Sequence, residues 1–318
     1  MNKNPILTIS NLSIDFRTDR GVVPAVRGLN LTIPQGKAVG IVGESGCGKS
    51  VTSYSILRLL PDNARISGSI RLLRRTGEFV DVVAQDPNGR VMRSIRGEDV
   101  AIVFQEPMTA LSPVHTIGLQ ITESIRAHRD IGKQDARAEA INLMTKVGIR
   151  DASTRVDDYP FKYSGGMRQR AMIAMALAAN PRLLVADEPT TALDVTVQGQ
   201  VLSLIRQLQR TMDLSLLLIT HDLGVIAHMV DYVYVMYLGR IVEEGPVTDI
   251  FDSPAHPYTR DLLRSIPTFS RSRSALLPIS GSVPDAANTP VLCQHSCRMF
   301  FENFSVLRSD GLRMTTGS

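Results

Sequence analysis

The sequence predicts an α/β fold with an open sheet, and three observations support this class. Residues 38–42 form an apolar run of strand length, which a glycine-rich loop and a helical pattern follow until Pro61. Two later apolar segments, 182–186 and 214–220, have the length of buried strands and end in polar side chains. Ligands of an open α/β sheet bind beyond the carboxyl ends of its strands, so we expect a site there.

The loop after the first of these strands carries the strongest local signal. Residues 43–50 read Gly-Glu-Ser-Gly-Cys-Gly-Lys-Ser and fit the pattern G-x-x-x-x-G-K-[ST] at every fixed position. Glycines let successive backbone N–H groups point inward, and the following helix directs its positive end to the same place. We expect Lys49 to reach the β- and γ-phosphates and Ser50 to coordinate Mg²⁺. A glycine-rich turn with an exposed lysine is the structural alternative, which the flanking strand and helix disfavour.

Composition sets the broad class. The chain has 318 residues, 43% hydrophobic content and a net charge of +4, values normal for a globular protein with one large domain or two. Its longest apolar stretches, such as 171–179 and 214–219, are shorter than the roughly 20 residues of a membrane span, and no secretory signal is evident. We therefore expect a cytoplasmic protein. Three cysteines are too few for a disulfide framework, and the charge does not by itself indicate nucleic acid.

The first part of the chain is rich in predicted strands. Residues 6–14 and 22–31 alternate on either side of a polar turn, and 66–73 with 78–83 suggest a β-hairpin. Phe16 ends the first strand. An exposed aromatic ring upstream of a phosphate loop could stack on a base, although a single Phe is equally well explained as part of the core.

The middle of the chain changes from strand to helix. A buried strand at 100–104 ends at Gln105, and 114–180 has the pattern of a helical subdomain. The last helix of this subdomain begins at Ser164, a good N-cap residue, followed by Gly165 and Gly166. Two glycines would let another molecule approach the N–H groups of the first turn, so we expect a second anion site there.

Carboxylates and a histidine follow the later strands. Asp187 and Glu188 are adjacent at the end of one strand, where one acid could hold a metal and the other could handle a proton or water. His221 follows the next strand, and Asp194 caps the helix between them. Each could be an ordinary surface residue, but their convergence with Gln105 at one sheet edge favours function.

The end of the chain differs in composition. Strands at 232–237 and 240–243 and a helix at 259–265 complete a domain that we place at 5–265. Residues 266–318 begin with a polar basic linker, continue as a Pro-, Gly- and Ser-rich segment and contain Cys293 and Cys297. We expect this tail to be a partly irregular appendage.

Together these motifs resemble the ATP-binding subunit of an ABC transporter over residues 5–265. The resemblance implies an ABC-type nucleotide-binding domain of the P-loop NTPase class, with an antiparallel β subdomain, a RecA-like core and a helical subdomain. The segments 104–113, 167–170 and 256–259 are similar to the dipeptide/oligopeptide importer branch, which includes nickel and glutathione importers.

The resemblance also implies residue roles. Glu188 would be the general base, His221 would position the γ-phosphate and water, Gln105 would act as the Q-loop and Lys49 would bind phosphate. Mg²⁺ would be held by Ser50, Gln105 and Asp187. The residues implied to bind ATP are Phe16, Gly43, Glu44, Ser45, Gly46, Cys47, Gly48, Lys49, Ser50, Val51, Gln105, Ser164, Gly165, Gly166 and Asp194.

Two departures from the family pattern are visible. The signature reads Tyr-Ser-Gly-Gly-Met instead of Leu-Ser-Gly-Gly-Gln, a change we expect to be tolerated because the backbone and Ser164 make the key contacts. Members of the branch often continue into a cysteine-rich segment that can hold an iron–sulfur cluster. Only Cys293 and Cys297 are present here, and a cubane cluster normally requires four thiolates, so we predict no intact cluster.

The resemblance implies an ATP-hydrolysing importer subunit on the cytoplasmic face of the cell membrane. Its partners would be a second homologous ATP-binding subunit, as a heterodimer or homodimer, two membrane permeases and indirectly an extracytoplasmic solute-binding protein. A soluble ABC ATPase acting on nucleic acid or the ribosome is the alternative. One phosphate loop and no sustained heptads disfavour it, and the branch-specific segments disfavour an exporter.

Overall fold

The computed structural model describes residues 4–19, 21–191 and 193–265, with the side chain of Met108 left out. The predicted tail at 266–318, with Cys293 and Cys297, lies outside the described residues. The strands are β1 (Pro5–Thr18), β2 (Gly21–Pro34), β3 (Ala38–Val42), β4 (Ala64–Leu73), β5 (Phe79–Asp81), β6 (Val100–Val103), β7 (Leu183–Asp187), β8 (Ser215–Thr220), β9 (Tyr232–Tyr237) and β10 (Arg240–Pro246). The helices are α1 (Lys49–Ile56), α2 (Arg90–Ser94), α3 (Pro107–Ala110), α4 (Ile117–His128), α5 (Lys133–Lys146), α6 (Ala152–Arg155), α7 (Gly165–Ala176), α8 (Val195–Thr211), α9 (Leu223–Met229), α10 (Val247–Asp252) and α11 (Pro257–Arg264).

Two sheets form the framework. The first is antiparallel, with the order β2-β1-β4-β5. The second has the order β10-β9-β3-β8-β7-β6, and its neighbours are parallel except for β9 and β10. The carboxyl ends of β3, β6, β7 and β8 therefore lie at one edge. The predicted α/β class, with an antiparallel β part, is confirmed.

The central strands are buried on both faces, which explains their continuous apolar sequences. In β8, Leu216 and Leu218 pack into one hydrophobic core, whereas Leu217 and Ile219 pack into a second core on the other face. The first core also contains residues of α4, α5 and α7. The second core lies between the six-stranded sheet and the antiparallel sheet, whose inward side chains include Leu7. The six-stranded sheet thus holds the site's strand ends between two packed layers.

Helices occupy most of the chain between β6 and β7. The predicted helical stretch from 117 forms α4 and α5, and Thr116 caps α4 by accepting a hydrogen bond from Leu119 N. The boundary of this subdomain at 114–180 stays a prediction. The first helix is shorter than its pattern predicted, because it ends at Ile56 and Arg58 then takes a left-handed conformation with φ of 52°.

No helix in the described ranges has the length and apolar character needed to cross a bilayer.

Candidate functional site

The loop between β3 and α1 fits closely against its surroundings. A Cβ atom on Gly43 would lie 2.1 Å from the carbonyl oxygen of Met236, and one on Gly48 would lie 2.5 Å from that of Ala25. Gly48 also has a φ of 106°, which disfavours any other residue. The loop conformation therefore requires glycine at both positions, as the phosphate-loop pattern predicts.

Lys49 reaches back into this loop from the start of α1. Its side chain is buried, and Nζ donates hydrogen bonds to the carbonyl oxygens of Gly43 and Glu44, each at 2.8 Å. Burial of an ammonium group requires such partners. The lysine is thus placed where it could exchange carbonyl oxygens for the oxygens of a phosphate. Cys47 lies beside it, and burial raises the pKa of its thiol.

Asp187 ends β7 below the same loop. Its carboxylate is fully buried and accepts hydrogen bonds from Ser50 Oγ at 3.1 Å and from Ser53 Oγ at 3.3 Å. Burial raises the pKa of Asp187, and the two serine hydroxyls oppose that shift. Ser53 was not among the site residues predicted from the sequence. Its position three residues after Ser50, on the same face of a helix, was the available signal.

Glu188 lies at the centre of a hydrogen-bonded cluster. Its Oε2 accepts hydrogen bonds from Gln105 Nε2 at 2.9 Å and from Thr191 Oγ1 at 3.0 Å. Its Oε1 lies 3.1 Å from Nδ1 of His221. The Glu188 side chain is 11% exposed, whereas that of His221 is 60% exposed. A carboxylate held by three side chains, next to an exposed imidazole, can take a proton from a water molecule in a fixed position.

The backbone helps to direct this carboxylate. Glu188 takes a left-handed conformation with φ of 45°, and its N–H donates to the carbonyl of Ile219 on β8. A side chain that follows a strand in this way points out of the sheet edge instead of continuing the strand pattern. The structure thus brings Gln105, Glu188 and His221 together at the predicted edge. The contact from Thr191 was not among the predictions from the sequence.

The signature residue Ser164 and the predicted cap Asp194 lie at the starts of the helices α7 and α8. Ser164 caps α7 by accepting a hydrogen bond from Met167 N at 3.4 Å, and Asp194 caps α8 by accepting one from Val197 N at 2.9 Å. Ser164, Gly165 and Asp194 are exposed. The predicted caps are confirmed, while the predicted contacts of these residues with a nucleotide stay a prediction.

Phe16 fits both of the interpretations that the sequence left open. Its ring is half-buried and packs against the second core, while its backbone pairs with Val23 and Ala64. The Phe16 side chain therefore packs against the core and is also partly accessible.

The oxygen ligands near Asp187 fit a magnesium ion whose coordination shell is completed by phosphate. Among the described residues there is no group of three or more His, Cys, Asp or Glu that could hold a metal alone. Magnesium usually takes one or two carboxylates and completes its shell with phosphate oxygens and water. The Ser50 hydroxyl and the Asp187 carboxylate supply such a partial set. Gln105 directs its amide nitrogen to Glu188, so its place as a metal ligand stays a prediction.

This fold and site define a phosphate-loop nucleoside triphosphatase. A glycine loop with a buried lysine, a strand-end carboxylate bonded to the loop serine, and a second carboxylate beside a histidine are its defining features. The chain belongs to the ABC transporter family, whose family model matches residues 26–191, and it is an ABC ATPase. A second model, for the C-terminal region of oligopeptide/dipeptide transporters, matches residues 242–301.

Similar proteins agree with this membership. A relative from Brucella abortus (strain 2308) is 45% identical over 98% of this chain and 92% of its own length. One from Brucella melitensis is 48% identical over 95% of this chain and 91% of its own length. Both carry the name peptide import ATP-binding protein.

Solved structures share the fold at 24% identity. The dimeric ATP-binding cassette MJ0796, bound to ADP and phosphate after hydrolysis, matches 76% of this chain and 98% of its own with a TM-score of 0.66. The cbiO1 subunit of an ABC transporter complex from Clostridium perfringens matches 79% of this chain and 92% of its own with a TM-score of 0.63.

Proposed function

We propose that this chain is the ATP-hydrolysing subunit of an ABC importer for peptides or related small solutes. The observation that carries the proposal is the match of residues 242–301 to the oligopeptide/dipeptide transporter region, on the same chain as the Glu188 cluster. The names of the Brucella relatives support the same cargo class.

ATP binding would centre on the phosphate loop. Lys49 would transfer its Nζ hydrogen bonds from the carbonyls of Gly43 and Glu44 to β- and γ-phosphate oxygens. Ser50, Asp187 and Gln105 would hold Mg²⁺, which neutralises charge on those oxygens when it is bound. Phe16 would stack on the base.

Hydrolysis would use the cluster around Glu188. The Glu188 carboxylate would accept a proton from water as the water oxygen bonds to the γ-phosphorus, and the bond to the bridging oxygen would break to release ADP. Gln105 and Thr191 fix one carboxylate oxygen, which orients the other toward His221. His221 is exposed beside Glu188 and would hold the γ-phosphate and water in place.

The complete site would form between two subunits. The exposed Ser164 and Gly165, with the half-buried Gly166, would contact the γ-phosphate of an ATP bound to the phosphate loop of a partner, with Asp194 beside them. The partner would be a homologous ATP-binding subunit, as a heterodimer or a homodimer. Two membrane permeases and an extracytoplasmic solute-binding protein would complete the importer and place this chain on the cytoplasmic face of the cell membrane, without a nucleic-acid partner.

We also propose that residues 5–265 form the ATP-binding domain, with its helical subdomain at about 114–180, and that 266–318 form a C-terminal appendage. The helices α4 to α7 support the helical subdomain. The absence of an intact iron–sulfur cluster stays a prediction, to be tested by iron analysis of the purified protein.

Reconstitution tests the function. The full chain, co-expressed with the permeases and solute-binding protein of its gene neighbourhood, should drive ATP-dependent peptide uptake into proteoliposomes. A matched preparation with Lys49→Ala should bind the permeases but transport nothing. Recruitment to nucleic acid or ribosomes, with no association with permeases, would overturn the proposal in favour of a soluble ABC ATPase.

A further inference from the structure

The phosphate loop contacts the C-terminal helix α11. The N–H of Glu44 donates a hydrogen bond to the phenol oxygen of Tyr258 at 3.1 Å, across 214 positions of sequence. Tyr258 belongs to the His-Pro-Tyr-Thr segment at 256–259, which the proposed hydrolysis mechanism does not use. This segment also lies within the region matched to oligopeptide/dipeptide transporters. A residue of that region is therefore in direct contact with the nucleotide-binding loop.

The bonded N–H belongs to the same peptide unit as the carbonyl of Gly43. That carbonyl accepts a hydrogen bond from Lys49 Nζ at 2.8 Å. The N–H and C=O of a trans peptide point in opposite directions from one rigid plane. One peptide plane thus connects Tyr258 on its outer side with Lys49 on its inner side, and the orientation of the plane determines where the carbonyl meets the ammonium.

Tyr258 is itself fixed independently of the loop. Its side chain is fully buried, and its ring packs on Tyr237 with 4.4 Å between ring centroids. The start of α11 is anchored by Glu243, whose carboxylate accepts hydrogen bonds from the backbone N–H groups of Ala255 and His256. The phenol oxygen is therefore a stationary acceptor to which the more exposed loop can be aligned.

The loop's glycines leave the peptide plane little intrinsic preference. Glycine at position 43 has a wider range of allowed backbone conformations than other residues, although close contact with Met236 requires that glycine. A second external contact, from Gly239 N to the carbonyl of Cys47 at 3.0 Å, holds the far side of the loop but does not act on this plane. The hydrogen bond to Tyr258 holds this plane from outside the loop, opposite the hydrogen bond from Lys49.

We propose that Tyr258 is a positioning residue for nucleotide binding, which orients the Gly43–Glu44 peptide plane and through it the Lys49 ammonium. This inference rests on the proposed role of the phosphate loop. Tyr258 touches no reacting atom, and it lies away from Gln105, Glu188 and His221 in the hydrogen-bond pattern. Its loss should therefore affect ATP affinity more than the rate of the bound complex.

Tyr258→Phe removes the hydroxyl and keeps the ring on Tyr237. Tyr234→Phe is the matched control, because the phenol oxygen of Tyr234 accepts a backbone N–H from Thr32 at 3.0 Å, away from the phosphate loop. A neutral hydrogen bond of this kind is worth about a two- to tenfold change in an equilibrium constant. We expect Tyr258→Phe to raise the dissociation constant of Mg-ATP by that factor, with kcat changed less than about twofold.

The measurements use the purified full chain. Calorimetry gives the dissociation constant of Mg-ATP, phosphate release gives kcat and KM, and amide hydrogen exchange reports on Glu44 directly. Tyr258→Phe should speed exchange at Glu44, while Tyr234→Phe should leave both that exchange and ATP affinity unchanged. Equal ATP affinity in Tyr258→Phe and wild type would overturn the proposal, as would an equal loss in both variants. Lys49→Ala tests the role of the phosphate loop separately from the role of Tyr258. Normal ATP binding by Lys49→Ala would refute the proposed role of the loop itself.

Discussion

Glu188→Gln should slow ATP hydrolysis about 10²–10⁴-fold while preserving ATP binding, because the amide cannot accept a proton at neutral pH. The replacement has nearly the same shape. The change leaves Lys49 and its hydrogen bonds to the phosphate loop intact, since they do not involve Glu188. The variant should therefore retain its nucleotide and fail in the chemical step.

The replacement could also slow hydrolysis by disturbing the orientation of the side chain at position 188, and the structure allows this effect to be estimated. Glu188 holds three partners, namely Gln105, Thr191 and His221. A 10²–10⁴-fold loss corresponds to about 2.7–5.4 kcal/mol of activation free energy. Thr191→Val is the matched variant, because it retains the carboxylate and removes one of its hydrogen bonds. We expect that variant to lose about tenfold in kcat, which is less than Glu188→Gln loses.

The assay compares single-turnover phosphate release with equilibrium binding of Mg-ATP. Glu188→Gln should bind ATP within about threefold of wild type and release phosphate at least 100-fold more slowly, by the estimate for a general base. An unchanged rate would refute the assignment of Glu188 as base. A loss in Thr191→Val as large as that in Glu188→Gln would show that orientation, and not proton transfer, accounts for the effect.

Three further predictions concern stability. Arg74→Ala should destabilise the fold by about 3–5 kcal/mol. The change leaves the carboxylate of Asp99, which is only 1% exposed, without its ion pair to Arg74 at 2.7 Å. A loss below about 1 kcal/mol in urea unfolding would contradict this. Burial acts to raise the pKa of Glu243, but hydrogen bonds at the start of α11 outweigh it and lower that pKa. The stabilisation by the Glu243 carboxylate is therefore present above the unfolded pKa of about 4.3 and lost as pH falls through the folded value. The melting temperatures of wild type and Glu243→Gln should differ at pH 7 and converge at low pH. A difference that persists at low pH would exclude the Glu243 charge as its cause. Gly199→Ala in α8 should stabilise by roughly 0.5–1 kcal/mol, since a Cβ there meets nothing within 4 Å; a lower thermal midpoint would refute that reasoning.

The sequence predicted those parts of the site that local pattern encodes. The phosphate loop, the caps at Ser164 and Asp194, and the strand-end positions of Gln105, Glu188 and His221 all follow from short motifs and strand length. Their meeting at one edge followed from the rule for open α/β sheets, because parallel strands bring their carboxyl ends together.

What the sequence could not predict depends on contacts between distant side chains. The hydrogen bond from Glu44 N to Tyr258 joins residues 214 positions apart, so no periodicity or spacing reveals it. The end of α1 at Ile56 was also missed, because a left-handed turn at Arg58 is decided by the surrounding packing and not by helix propensity. The contact of Thr191 is a different case, because it lies only three residues from Glu188. A threonine hydroxyl at that position can equally bond to nearby backbone, so the sequence did not distinguish this partner.

The buried hydrogen bonds of Lys49 favour ligands whose oxygens are charged over ligands whose oxygens are neutral. Its ammonium has two carbonyl acceptors within the loop itself, so a ligand gains only by offering better ones. Neutral oxygens of a nucleoside would give no net advantage over those carbonyls, whereas ionised phosphate oxygens form hydrogen bonds roughly twice as strong. The loop therefore discriminates against uncharged competitors through Lys49 alone, without any contact to base or sugar.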